Sequence, residues 1–482
     1  MKKKNLVSRR STLKGLTMAG AFAFLKPGLA SSVEASEDKL GCGDMVSNSE
    51  VRKTIFNKVA QTQLVDTHEH LVEEKLRLNP GKGEPDDWSL LLKQYFDSDV
   101  SSAGMEQKDY DKFFSADYNP IRKWQILKPY WRFVKNTGYG QAVRITFKRL
   151  YDVDDLNDVT IAKIQDSYEK TRKKGFYKYI LKDICNIHSC QVNSLSSVIT
   201  ESAQPKLLMQ DLSILNMILY PGSEELSKPA GIKVENLSDW HKVIDWWFAR
   251  YARYAVAVKS QHAYYRDIDY ERVSQQEAEG AFRKIISKQQ VTAQEKKLLE
   301  DHIFWYAVDK ASANNLPVKL HTGYYAGHNY MTLARVVKNP ASAAQLCKLG
   351  PDKKFVFMHI CYPYYEPMIA VAKHFSNAYI DMCWAWIINP VAAKDFLKKY
   401  LVAAPANKVL TFGGDYLCVE PVIGHAAIAR MGISLALSEL VEEGFITLSD
   451  AMELIDPIMH ENAKTLFNIE QKQRIVMKSS WA

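Results

Sequence analysis

From about Leu64 to Phe412 the chain alternates short apolar runs with stretches of helical length, and no other feature restricts its fold as much. Runs at 63–67, 184–188, 206–210, 254–259, 317–321, 355–359, 378–382 and 408–412 predict eight strands. Between them, 239–254 places Trp240, Val243, Trp247, Arg250 and Tyr254 on one helical stripe, and 295–314 and 367–375 read as two further helices. Strands separated by helices pair in parallel, because a parallel pair needs a long crossover. Eight such units predict an α/β fold, a (β/α)8 TIM-like barrel, ahead of an open doubly wound sheet. Residues 72–183 hold Trp88, Tyr95, Trp124, Trp131 and Tyr139 and read as a large helical insertion after the first strand, capping the barrel mouth. A structureless loop of that length is uncommon in a compact domain.

Composition narrows the function classes. The chain has 482 residues, 47% of them hydrophobic, enough for a sizeable buried core. Its formal charge of +8 falls to +1 once the seven basic residues of positions 1–30 are set aside. A body so near neutrality has no long-range field to gather polyanions, which excludes nucleic acid as a partner. A small-molecule substrate is the partner expected, and a homo-oligomer is compatible with this composition.

Those first residues read as an address. Lys2, Lys3, Lys4, Arg9, Arg10 and Lys14 precede the apolar run 15–25, and small residues follow at 27–30 and 33–35. The run is too short to span a bilayer, so no stable membrane anchor is expected. Ser8-Arg9-Arg10-Ser11-Thr12-Leu13-Lys14 resembles the twin-arginine export signal, with Thr12 where phenylalanine is usual. The resemblance implies a signal peptide over 1–35, the export machinery as partner, and a periplasmic or otherwise exported domain over 36–482. The seven cysteines (42, 185, 190, 347, 361, 383 and 418) are scattered and odd in number, which does not suit a disulfide framework. Cys185-x-x-His188-x-Cys190 lacks a second half and reads as core packing.

The chemistry starts at the first strand, Val65-Asp66-Thr67-His68-Glu69-His70-Leu71. Residues two apart in a strand share a face, so His68 and His70 can offer both imidazoles to one ion. Lys259 ends the fourth predicted strand, His321 the fifth and His359 the sixth, and Asp415 follows the eighth in Thr411-Phe412-Gly413-Gly414-Asp415. All lie at carboxyl ends, which converge on one mouth in a (β/α)8 barrel. Three histidines and an aspartate suit Zn²⁺ first, with Mn²⁺ and Fe²⁺ as alternatives.

These residues resemble the amidohydrolase superfamily, and within it the amidohydrolase-related branch. The similarity runs through His68-x-His70, Leu320-His321-Thr322-Gly323, Met358-His359-Ile360-Cys361-Tyr362-Pro363 and Asn377-Ala378-Tyr379-Ile380-Asp381 to His460-Glu461-Asn462-Ala463-Lys464-Thr465-Leu466-Phe467. The chain is also similar to uronate isomerases. The resemblance implies that His68, His70, His321 and Asp415 hold a divalent metal, that Asp415 is the general base, and that His359 polarises the substrate oxygen or shares the acid/base work. It leaves Lys259 either carboxylated between two ions or facing an acidic substrate, and an unpaired ammonium beside a metal favours one ion and the second role. Arg266 is the expected carboxylate anchor, because a guanidinium makes paired bonds. Tyr324, Tyr325, Tyr362, Tyr364, Tyr365, Trp384, Trp386 and Tyr416 offer an aromatic lining, with Tyr324 and Tyr362 taken as substrate contacts, and Asp381 reads as support for a neighbour. The implied activity is that of a metal-dependent hydrolase acting on a C–N or ester/lactone bond of a small carboxylate-bearing or cyclic substrate. The alternatives are a uronate isomerase-like or decarboxylase-like enzyme of the same superfamily, and an exported binding protein with a dead site.

Overall fold

A computed structural model describes residues 50–481 apart from 82, 84 and 328–330. The export signal read at 1–35 and Cys42 lie outside the described residues. Eight parallel strands form the barrel: β1 (Leu64–Glu69), β2 (Ile187–Val192), β3 (Leu208–Gln210, resuming across Asp211 as Leu212–Ser213), β4 (Val258–Ser260), β5 (Val318–Leu320), β6 (Phe355–Phe357), β7 (Ala378–Asp381) and β8 (Val409–Leu410). The interruption at Asp211 does not break the sheet. The Asp211 N–H donates to the Val192 carbonyl at 2.9 Å and the Leu212 N–H to the Ala257 carbonyl at 2.9 Å. Closure comes from the far edge, where Thr67 N–H donates to Phe412 O at 3.0 Å and Asp415 N–H to His68 O at 2.9 Å.

The closing edge depends on two glycines. A Cβ on Gly413 would stand 2.7 Å from Cys383 Cβ, and one on Gly414 would stand 1.9 Å from Glu69 Oε1. Only glycine lets the backbone after β8 come this close to β1 and β7. Beneath the mouth, Val65, Met209, Val256, Val356 and Leu410 pack with Ala463, Leu466 and Phe467 from the carboxyl-terminal helices. That apolar plug makes the lower barrel a packed core and leaves only the upper end open for chemistry.

Helices occupy most of the stretch between β1 and β2, from Glu74–Leu78 through Pro120–Val134 and Gly138–Tyr151 to Thr160–Thr171. They pack on the barrel through Val422–Glu442, a helix buried along almost its whole length. Gly424 permits its contact with the Ala142 backbone, and Gly432 permits its contact with the Trp386 ring. No helix among the described residues is long and apolar enough to cross a membrane. The second strand, Ile187–Val192, overlaps the run 184–188 that predicts it but starts three residues later. Ile184, the first residue of that run, ends a wide helical turn, Tyr179–Ile184, and the chain enters β2 only after Asn186 turns it with φ 52°.

Candidate metal centre and active-site cavity

Alternation along β1 turns His68 and His70 to one side, and the β8 loop brings Asp415 to meet them. His68 Nε2 lies 3.3 Å from His70 Nε2 and 3.3 Å from Asp415 Oδ1, which is 3.2 Å from His70 Nε2. Two donors each about 2.1 Å from one cation stand roughly 3.0–3.4 Å apart at octahedral to tetrahedral angles. The trio therefore fits a shared ligand shell. His70 Nδ1 lies 2.7 Å from the Asn193 carbonyl, which can only accept, so the ring's proton sits there and Nε2 presents its lone pair. His68 is buried, and that burial with the Lys259 charge lowers its pKa to about 4, leaving a neutral ring suited to ligation. Burial opposes ionisation of Asp415, but the contacts from His68 and His70 outweigh it and hold the carboxylate well below its ordinary range.

His321 and His359 form a second pair beside this trio. His359 Nε2 is 3.0 Å from His321 Nδ1 and 4.0 Å from Asp415 Oδ2. His359 Nδ1 faces the Cys383 carbonyl at 3.0 Å, and His321 Nε2 faces the Tyr324 carbonyl at 2.9 Å. Each ring must donate to its carbonyl, so the two nitrogens that face each other both carry lone pairs when the rings are neutral. Burial drives the His359 pKa down to about 3 and the His321 pKa well below its ordinary value, so neutral is their resting state. Two lone pairs at that distance call for a proton or a cation between them. His321 thus meets the centre through His359 and stands outside the trio of His68, His70 and Asp415. His359 and Asp415 also approach Cys383 closely enough for all three to share an ion.

Backbone strain concentrates here. Asp415 has φ 64°, Trp384 φ 63°, and His359, Ile360 and Cys361 have φ 63°, 49° and 58° in succession. Such conformations cost on the order of 1–3 kcal/mol each and persist only where the surroundings impose them. The helical insertion supplies one such constraint. Tyr95 sits at φ 71°, ψ −58°, the centre of a γ-turn closed by Phe96 N–H on Gln94 O at 3.0 Å. From that turn the Tyr95 hydroxyl and Gln94 Nε2 both donate to the Asp415 carbonyl, the latter at 2.8 Å.

A cavity of about 530 Å³ opens on these groups, and His68, His70, Lys259, His321, His359 and Asp415 all line it. Lys259 is buried, its ammonium 2.6 Å from Met358 Sδ, and burial lowers its pKa to about 8. Among the described residues no carboxylate forms an ion pair with it. Arg266, expected as the carboxylate anchor, is placed elsewhere. Its guanidinium meets Glu300 at 3.2 Å, Asp269 at 3.0 Å and Asp301 at 2.7 Å, acids that saturate its donors away from the cavity wall. Tyr324 and Tyr362 are not cavity-lining either. They join Trp384 in an adjoining aromatic cluster, with ring separations of 6.0 and 6.3 Å from Tyr324. Asp381 accepts from the Thr67 hydroxyl at 3.0 Å and Cys383 N–H at 2.9 Å, tying β7 to β1.

Sequence reasoning missed Lys319, Asp211, Gln94 and Tyr95. Lys319 Nζ donates to Asp211 at 2.8 Å and to the Thr67 carbonyl at 2.6 Å, and Asp211 Oδ2 faces His68 Nδ1 at 3.7 Å. A lysine within the apolar run of β5, two residues before His321, was the available signal, since alternation turns both to the barrel interior. No pattern in the insertion singles out Gln94 or Tyr95.

Comparison with known proteins agrees with this architecture. Residues 249–469 match the amidohydrolase family model. Uronate isomerase from Thermotoga maritima has the same fold, with a TM-score of 0.70 at 15% identity over 89% of this chain and 99% of that one. Glucuronate isomerase from Caulobacter crescentus gives a TM-score of 0.71 at 16% identity over 90% and 97% of the two chains. The protein fluG of Emericella nidulans is 24% identical over 164 residues, which are 34% of this chain and 18% of that protein's length. The chain is therefore an α/β barrel similar to the amidohydrolase-related branch in sequence and to uronate isomerases in fold, and it carries a candidate His/Asp metal site.

Proposed function

We propose that the protein is a metal-dependent hydrolase that cleaves a C–N or ester bond of a small carboxylate-bearing substrate. The observation that carries this reading is the convergence of His68 Nε2, His70 Nε2 and Asp415 Oδ1, 3.2–3.3 Å apart, in the lining of the cavity. A divalent ion held by these three residues, Zn²⁺ first among candidates, would supply water ionised near neutral pH and polarise the substrate carbonyl. Asp415 takes the proton of the attacking water on its free oxygen and returns it to the departing nitrogen or oxygen as the bond to carbon breaks. Neutral His359 presents an Nε2 lone pair 4.0 Å from that oxygen, so it shares the acid/base work as a proton acceptor and donates to the developing negative charge only once Nε2 has taken a proton. Lys259, in place of Arg266, pairs with the substrate carboxylate, which compensates an otherwise unpaired buried ammonium.

A second reading of the cofactor, two ions instead of one, is favoured by the facing lone pairs of His321 and His359, 3.0 Å apart. Exchange separates hydrolysis from the isomerase alternative. Turnover in ¹⁸O-water of amides, esters, lactones and uronates is expected to place one solvent oxygen in the product acid. Turnover confined to uronates, with solvent hydrogen exchanged at carbon and no bond cleaved, would replace hydrolysis by isomerisation.

Export is part of the same proposal, because folding in the cytoplasm would let the protein select its metal before meeting another pool. Replacing Arg9 and Arg10 by lysine should retain the protein in the cell. Unchanged secretion of that variant would remove the twin-arginine route.

A further inference from the structure

The cavity has buried polar and exposed apolar lining residues, and together they describe a substrate. Lys259, His68, His359 and Asp415 line it and are all buried. Gln261, just past β4, lines the same cavity and is 7% exposed, and its Oε1 has no hydrogen-bond donor among the described residues. A buried amide oxygen left without a donor costs about 1–3 kcal/mol, so the position suits a ligand N–H. The rim is apolar. Leu195, Tyr220 and Tyr265 are 57%, 57% and 58% exposed and all line this one cavity. They come from the loops after β2, β3 and β4, strands that are hydrogen-bonded neighbours, so the three side chains share one side of the mouth. Scattered exposed apolar residues need no explanation, but three on one wall of a polar cleft do.

We propose that the substrate is an N-acylated amino acid with an apolar acyl or aryl tail. This rests on the hydrolase reading and deepens it. The carboxylate pairs with Lys259, the amide N–H donates to Gln261 Oε1, and the tail lies across Leu195, Tyr220 and Tyr265. Hydrolysis adds water across the acyl C–N bond and releases a fatty or aromatic carboxylate and a free amine. A sugar acid can satisfy Gln261 through a hydroxyl but leaves the apolar side chains unused, so it is the tail that distinguishes the two substrates.

The test is binding of unreactive isosteres to the metal-loaded wild-type protein by calorimetry. N-alkanesulfonylglycines from methane- to hexanesulfonyl keep the N–H, the carboxylate and the tail but are not hydrolysed. The dissociation constant is expected to fall about fourfold per added methylene, and Leu195→Ser/Tyr220→Ser/Tyr265→Ser should flatten the series. The matched sulfone, with CH₂ in place of N–H, should bind wild type about tenfold more weakly, a preference lost in Gln261→Leu. A flat series in wild type, or an equal slope in the triple variant, overturns the apolar-tail assignment. An N–H preference that survives Gln261→Leu overturns the amide contact. Neither readout involves turnover, so the oxygen-labelling experiment can fail while these stand, and the reverse.

Discussion

Asp415→Asn and His68→Ala are each expected to lower kcat by about 10³-fold or more, while Cys190→Ser stays within about twofold of wild type. Asp415→Asn preserves the side chain's shape but removes both its charge and its capacity to carry a proton, so it tests a chemical role and not packing. His68 contributes one of three convergent donors, and its loss opens the shell that would hold the ion. Cys190 lies in β2, fully buried and free of any disulfide, and its thiol pKa is driven up by burial. The check is steady-state kinetics on whichever substrate the labelling screen identifies, with circular dichroism to show that all three variants are folded. Equal activity in the three would remove the catalytic assignment.

Lys319→Met is expected to destabilise the barrel by about 3–5 kcal/mol, because it strands a buried carboxylate. Lys319 and Asp211 are both fully buried and 2.8 Å apart. Burial alone would raise the Asp211 pKa, but the Lys319 charge and the His68 contact lower it. The sign follows from linkage: a carboxyl depressed by folding contributes stability above its unfolded pKa and loses it only as pH falls through the lower folded value. The wild-type advantage should therefore persist across neutral pH and fade in strong acid. Urea denaturation of Lys319→Met, Asp211→Asn and the double variant measures this, and the double variant should be more stable than Lys319→Met alone. A loss below about 1 kcal/mol in Lys319→Met would show that Asp211 is not left as an uncompensated buried charge.

The barrel was legible because its grammar is local. Strand-length apolar runs and intervening helices fix a parallel closed sheet, and ligands placed at strand ends converge by topology alone. What was not legible depends on pairings between distant segments. Arg266 carries no mark that Glu300 and Asp301, one helix away, neutralise it. Tyr324 and Tyr362 follow the right strands, yet the Tyr324 ring packs between Trp384 and Tyr362, and neither tyrosine lines the cavity. His321 sits at the expected strand end, but carbonyl partners set its tautomer and direct it to His359. The start of β2 moved from 184 to 187 because Ile184, the last residue of a helical turn, reads the same in the sequence as an apolar residue of a strand.

Elemental analysis of the purified full-length protein, repeated on His68→Ala, His359→Ala and Asp415→Asn, addresses the metal centre itself. At least one equivalent of a divalent transition metal should accompany wild type and be absent from His68→Ala and Asp415→Asn. A further equivalent lost only with His359→Ala would mark a second ion beside the first. Failure of wild type to retain or take up Zn²⁺, Mn²⁺ or Fe²⁺, or full retention by both His68→Ala and Asp415→Asn, would contradict the centre proposed for His68, His70 and Asp415.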